Sequence, residues 1–171
     1  MTLPKTDTLQ LNQDGPVLDI TLNRPESRNA MSLTMVNELM AVFESVAGDT
    51  TIRAIVLRGT GGHFCAGGDI KDMAGARQQA AGGDDNAFQA LNRRFGEMIT
   101  AANRQPQVVI TVLEGAVLGG GFGLACISDV AIASEDATFG LPETGLGVIP
   151  AQMAPFVVER IGLTQARRLA L

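Results

Sequence analysis

A glutamate in an apolar setting, two glycine-rich segments and a pair of arginines are the residues of this chain whose types and spacing could do chemistry. Glu143 follows Pro142 in FGLPETGLGVIP, Phe139 to Pro150. Its neighbours Phe139, Leu141 and Leu146 can strip water from the carboxylate, which raises a carboxyl pKa and lets the group exchange protons near neutrality. The run Gly119-Gly120-Gly121 stands before an Ala/Leu/Cys segment that can be helical. A helix start carries unsatisfied N–H groups and the positive end of the dipole, both suited to a developing oxyanion. In GGHFCAGGDIKDM, Gly61 to Met73, Gly67 and Gly68 let the backbone pass close to a ligand in unusual dihedrals. Asp69, followed by Ile70, fits the cap of the next helix better than a catalytic role. Arg24 and Arg28 lie in LNRPESRNAMS, Leu22 to Ser32. A guanidinium offers phosphate a bidentate fork. His63, the single histidine, fits a loop residue.

These groups need a scaffold, and the hydrophobic pattern supplies one. Leu9 to Leu11 and Val17 to Leu22 predict two strands joined by a turn at Gln13-Asp14-Gly15. Ser32 caps a predicted helix with Val36, Leu39, Met40, Phe43 and Val46 at helical spacing. Ile52 to Leu57 and Val108 to Leu113 predict buried strands, and a glycine-rich loop runs from Gly59 to Asp69. The polar stretch RQQAAGGDDNA is expected to be mobile and solvated. Phe88, Leu91, Phe95, Met98 and Ile99 mark an amphipathic helix. Val130 to Ala133 and Thr138 to Gly140 predict short strands. A last helix opens at Thr164 in RIGLTQARRLAL and is still running at Leu171 with no capping glycine, as in a chain cut within a helix. The apolar Val157, Val158, Ile161, Leu163 and Leu169 near that end lack visible sequence to cover them.

Strands alternate with helices, so the chain is α/β; alternation by itself suggests an open doubly wound sheet. With 171 residues, 46% hydrophobic and 18% charged, one globular domain with a real core is expected. The net charge of −5, from 13 basic and 18 acidic residues, and the absence of Trp and Tyr argue against a nucleic-acid partner. Met1 to Gly15 has no apolar signal region, and the uncharged stretch between Glu114 and Asp129 is too short to span a bilayer, so a cytoplasmic protein without membrane contact is expected. Cys65 and Cys126 are expected as buried free thiols.

Taken in order, LNRPESRNAMS, GGHFCAGGDIKDM, the glycine run and FGLPETGLGVIP resemble the motifs of the crotonase family, the enoyl-CoA hydratases and isomerases. The resemblance implies a right-handed spiral of ββα units over residues 1–171, a single domain truncated before a helical C-terminal region, and a trimer or pair of trimers at full length. It implies an acyl-CoA thioester as substrate, coenzyme A entering as part of it, with no separate cofactor and no metal. The N–H groups of Ala66 and Gly120 are then the two donors to a thioester enolate, and Glu143 is the catalytic carboxylate. Arg28 and Arg24 would face the CoA phosphates beside Ala30. Gly67, Gly68, Asp69 and Ile70 would pass along the ligand on one side, and Gly119, Phe122, Gly123 and Leu146 on the other.

One departure bears on the reaction. Where the family's hydratases carry a first glutamate, two residues after the glycine run, this chain has Gly123. The position is expected to leave an empty volume facing Glu143. Glu114 fits a strand end better than a replacement carboxylate, Asp129 is expected to be structural, and Ala151-Gln152 stand where many hydratases have glycines. Syn-hydration of a 2-enoyl-CoA is the favoured reading, since the segments around Gly61–Met73 and Val148–Leu171 are similar to hydratases of branched substrates such as 3-methylglutaconyl-CoA and isohexenylglutaconyl-CoA. The alternatives are an enoyl-CoA isomerase working with Glu143 alone and an inactive acyl-CoA-binding fragment.

Overall fold

The computed structural model describes residues 3–84 and 86–171. Strands β1 (Leu9–Asp14) and β2 (Val17–Leu22) form an antiparallel hairpin in which Asp14 faces Val17. Gly15 turns it at φ +55°, a conformation glycine adopts without a Cβ penalty. Strands β3 (Ala54–Gly59), β4 (Val108–Leu113) and β6 (Val130–Ala133) then add in parallel, giving one sheet of order β1-β2-β3-β4-β6. A second, smaller parallel pair joins β5 (Ala116–Leu118) to β7 (Thr138–Gly140).

Two isolated bridges extend that second layer and reveal the repeat. Met31 pairs with Gly68, and Cys65 pairs with Val117, both in parallel. Each turn of the chain therefore visits the main sheet, then the second layer, then a helix. The sequence is β2, Met31 and α1 (Leu33–Val46); β3, Cys65 and α2 (Ile70–Ala81); β4, β5 and α4 (Gly120–Ile127); β6, β7 and α5 (Ala154–Ala170). This is a crotonase-type spiral of ββα units, not the doubly wound sheet that alternation alone suggests. The extra helix α3 (Ala87–Asn103) packs across α1 and α2.

The core lies between the sheet and α1. Leu18, Ile20 and Leu22 alternate inward from β2 and meet Ile55 and Leu57 of β3, with Met35, Leu39 and Phe43 of α1 above them, all fully buried. The Ser32 hydroxyl caps α1 by accepting the Met35 N–H at 3.2 Å. By contrast every residue of β6 is exposed, including Val130 and Ile132. Along α5, Val157 is buried while Val158 and Leu163 are exposed, and Gly162 at φ +77° breaks the helix just before the expected start at Thr164.

Two expectations shift. β3 begins at Ala54, because Ile52 is still in the approach, where Arg53 N–H and Ala54 N–H both reach the Pro16 carbonyl. Arg77–Ala81, expected to be mobile, are the last turns of α2; a helix capped by Asp69 carries them even though they bury almost nothing. Asp85 of that stretch lies outside the described residues. No helix among the described residues is long and apolar enough to cross a membrane.

Candidate active site

The second layer of the spiral brings the glycine segments side by side. Cys65 N–H donates to Ala116 O at 2.9 Å and Leu118 N–H to Cys65 O at 2.9 Å, zipping residues 65–67 against β5. Gly67 is at φ +99°, and a Cβ there would sit 3.5 Å from the Leu118 carbonyl. On its other side Gly67 accepts the Met31 N–H at 2.8 Å, and Asp69 N–H donates to Met31 O at 2.9 Å. In a parallel bridge the central residue's own N–H points away from its partner. Gly68 is that residue; its N–H has no acceptor among the described residues, and it lines an open cleft of roughly 730 Å³.

The expected donor Ala66 is a correction. Its N–H is spent at 3.0 Å on the carbonyl of Arg28, so it cannot also serve a ligand. The free amide of this segment lies two residues on, at Gly68. The signal available in the sequence was the pair of glycines directly before a helix-capping aspartate.

Gly120 behaves as expected. It is the first residue of α4, with no intrahelical acceptor for its N–H, and it lines the same cleft. Gly119 N–H is held by Gly140 O at 2.9 Å, which fixes the helix start against β7. The glycines are required by close approach: a Cβ on Gly120 would lie 2.9 Å from the Phe95 ring, and one on Gly121 2.6 Å from Cys65 Cβ.

β7 also delivers the carboxylate. Three residues past Gly140 the chain turns over Gly119 and enters a short 3-10 turn, Thr144–Leu146, tied down by Leu146 N–H and Val148 N–H on the Glu143 carbonyl at 3.0 and 2.9 Å. The Glu143 Oε1 lies where a Cβ on Gly119 would be, and Oε2 is buried with no hydrogen-bond partner among the described residues. Burial pushes the Glu143 carboxyl above its ordinary value. A carboxylate that is half-buried, unpaired and beside two free amides can take a proton from a bound molecule and return it.

The rest of the cleft is mostly apolar, with Asn92 and Gln152 among its lining residues. Met31 and Val36 of the α1 side, Phe88, Leu91 and Phe95 of α3, and Met153 before α5 form its walls. Asp69 and Asp72 also border it, but both are engaged. Asp69 caps α2 through Lys71 N–H at 2.8 Å and pairs with Arg24 Nη1 at 2.8 Å; Asp72 accepts the Leu33 N–H at 2.6 Å. Burial pushes Asp69 up, but the Arg24 hydrogen bond and charge and the two helix N–H groups outweigh it and hold its carboxyl below the ordinary value.

Several expected positions move. Arg24 is not free for phosphate: its guanidinium turns inward to Asp69 and to the Ala30 carbonyl. Arg28, at φ +51°, is exposed with no ion pair among the described residues. Asn29, unflagged by its type, is fully buried; its amide accepts Arg24 N–H at 2.8 Å and donates to Thr60 O and His63 O, bolting this loop to the Gly59–Asp69 segment. Ile70 and Leu146 point to solvent outside the cleft. Phe122 faces a second cavity, edge-on to Phe139 with ring centroids 5.7 Å apart.

Gly123 leaves no empty volume facing Glu143. It is buried outside the cleft, and a Cβ there would meet Ile99 Cδ1 at 2.8 Å and Met153 Cβ at 3.0 Å. His63 Nδ1 accepts the Ala116 N–H and Asp129 accepts the Val109 N–H, both within the scaffold. Glu114 is exposed just past β4, its carbonyl held by Phe64 N–H. Burial pushes the two free thiols up, Cys65 to about 12 and Cys126 to about 11, so neither is a nucleophile at neutral pH.

Residues 12–171 match the family described as enoyl-CoA hydratase/isomerase. A solved enoyl-CoA hydratase/isomerase from Marinobacter aquaeolei is 68% identical, with a TM-score of 0.90 over 95% of this chain and 62% of that one. AtuE of Pseudomonas aeruginosa is 65% identical, with a TM-score of 0.91 over 96% of this chain and 62% of its own. The peroxisomal Delta(3,5)-Delta(2,4)-dienoyl-CoA isomerase of Arabidopsis thaliana is 32% identical over 183 aligned positions, which take in 100% of this chain and 65% of that protein. Across the first curated relatives the chain spans 48 to 65% of their length.

Proposed function

The chain belongs to the enoyl-CoA hydratase/isomerase family, and on that premise we propose that it hydrates a 2-enoyl-CoA thioester through an enolate held by the N–H groups of Gly68 and Gly120. The observation that carries this reading is the unpartnered Glu143 Oε2 beside two unpaired amides in one apolar cleft. The thioester oxygen would accept both N–H groups, which are preorganised by the Met31 bridge and by the start of α4. Donors fixed before the reaction stabilise developing charge without reorganising.

With one carboxylate the steps still balance. Glu143 takes a proton from water as the water oxygen bonds C3 and the electron pair moves to the thioester oxygen. The same carboxyl then returns that proton to C2 as the enolate collapses, so one water is added. Desolvation suits the group to both roles by bringing its two protonation states closer in energy. The exposed Arg28 is the group that would meet the CoA phosphates. A branched or glutaconyl-type acyl chain is the substrate class to which the sequence motifs point.

Double-bond migration is the second reading. A single carboxylate is enough to carry a proton from one carbon to another two away, and a relative named an isomerase aligns over the whole chain. The test is to incubate the purified protein with 2-enoyl, 3-enoyl and 3-methylglutaconyl thioesters of CoA and follow the products. Hydroxyacyl-CoA from a 2-enoyl substrate is the expected result. Conversion of the 3-enoyl substrate alone replaces the first reading with the second, and turnover of none of them overturns both.

A further inference from the structure

Hydration needs water held against C3, and Glu143 grips only one side of it. Gly123, which stands where the family's hydratases carry another glutamate and is expected from the sequence to leave an empty volume, is closed by Ile99 and Met153. The other polar side chains bordering the cleft sort themselves by their bonds. Asp69 is spent on Arg24 and the start of α2, and Asp72 on the start of α1. Only Asn92 and Gln152 border it with no hydrogen bond from their side chains among the described residues.

Gln152 has a seat made for it. The carboxamide lies against α3 at Gly96, a buried glycine in mid-helix, where a Cβ would come within 2.6 Å of Gln152 Cδ and 3.2 Å of Cγ and would overlap Oε1. A glycine inside a helix weakens it relative to alanine, so the notch opposes helix stability and makes room for this side chain. Gln152 precedes Met153, whose side chain fills the space at Gly123, and Gly96 follows Phe95, whose ring covers Gly120. The same local arrangement thus closes the Gly123 side and holds Gln152 on the wall of the cleft, with no hydrogen bond from its side chain among the described residues. Asn92 sits one turn earlier on α3 without such a notch.

We infer that Gln152, seated in the Gly96 notch, is the second group that holds the attacking water, in place of a carboxylate at position 123. This rests on the hydratase reading above. Gln152 is a positioning residue: its amide both donates and accepts, so it can orient the water's lone pair toward C3 while Glu143 takes the proton. No proton transfers to or from the amide.

The experiment separates water handling from proton handling. Glu143 and the two amides alone exchange the α-proton of a saturated thioester, butyryl-CoA, in D2O, whereas hydration of crotonyl-CoA also needs the placed water. In Gln152→Leu, hydration kcat should fall by about 10²-fold, the scale of a misplaced reactant. KM and the butyryl-CoA exchange rate should stay within about threefold of the parent. Gly96→Ala, which pushes the carboxamide out of its seat while favouring the helix, should show the same split. Hydration kept in Gln152→Leu overturns the inference. So does a parallel loss of hydration and exchange, which would mark Gln152 as a structural residue. A parent protein that exchanges butyryl-CoA but never hydrates crotonyl-CoA overturns the hydratase reading itself.

Discussion

The cleft has one wall made of backbone and one made of side chains, and the two are legible in different ways. The backbone wall is Gly68 and Gly120, which line the cleft without side chains and whose N–H groups have no acceptor among the described residues; the segments 65–67 and 118–119 behind them are tied to one another and to their neighbours. The other wall runs from Glu143 to Met153 and across α3, where the side chains themselves meet the ligand space. On the side-chain wall, residue type announces the role: a glutamate among apolar neighbours is a candidate base wherever the chain folds. On the backbone wall, residue type says where the chain can pass close and leaves open which way each amide points.

Replacing Glu143 tests the side-chain wall and carries the largest expected effect. Glu143→Gln keeps the shape and removes the base, so turnover should fall by about 10²–10⁴-fold, the usual worth of a general acid–base. Steady-state rates on a 2-enoyl-CoA check this, and a variant as fast as the parent would move the chemistry off this wall. The stability of the same variant should move the other way. Burial raises the Glu143 carboxyl above its ordinary value, so the folded state holds the proton more tightly than the unfolded one. Stability linked to this group is full below the ordinary value of 4.5 and is lost as pH rises through the raised one. At neutral pH, therefore, Glu143→Gln should unfold at higher denaturant than the parent, and the gap should close below that ordinary value. A variant less stable than the parent at pH 7 would show that the carboxylate is satisfied in solution.

Filling Gly123 tests how the two walls are joined. Gly123→Ala places a methyl 3.0 Å from Met153 Cβ and 2.8 Å from the end of Ile99, and overpacking of this kind costs about 1–3 kcal/mol. Gly123→Glu should cost more, because a charge is then buried without a partner, and it should not raise hydration. Urea unfolding and crotonyl-CoA turnover measure both. Faster hydration in Gly123→Glu would mean that the site opens toward this position after all.

The acid side of the rate profile is a smaller effect. Because burial raises the Glu143 carboxyl, kcat/KM should rise with pH through a value above the ordinary 4.5 as the base ionises. A limb at or below the ordinary value would place the active carboxylate in water.

The sequence carried much of this and missed particular parts for physical reasons. The helix start at Gly120 is legible because the orphan amides of a helix are a local property, set by the segment itself. The order of strands and helices is legible from hydrophobic period, but the spiral is not: the second layer rests on single bridges such as Met31 to Gly68, too short to leave a periodic trace. The role of Ala66 is not legible locally because the direction of its N–H is fixed by Arg28, far away in sequence. That of Arg24 is not legible because its partner Asp69 lies across the same long-range joint. Gly123 looks like a gap from its own type alone, whereas Ile99 and Met153 decide whether the gap is open.

The smallest expected effect bears most directly on that lesson. Ala66 lies between two residues tied into the second layer, and its N–H is bonded to Arg28 O at 3.0 Å. With its backbone structural and its side chain facing no ligand, Ala66→Ser should change stability by no more than about 0.5 kcal/mol and should leave kcat and KM close to those of the parent. Replacing Gly68 is the informative partner. Its Cβ would meet only the Met73 sulfur, at 3.4 Å, so Gly68→Ala should fold. Gly68→Pro removes the N–H itself and should lower kcat by about 10²-fold, the cost of losing one donor to an oxyanion. Rates that are sensitive at 66 and indifferent at 68 would return the donor to Ala66 and mean that its bond to Arg28 gives way when a thioester arrives.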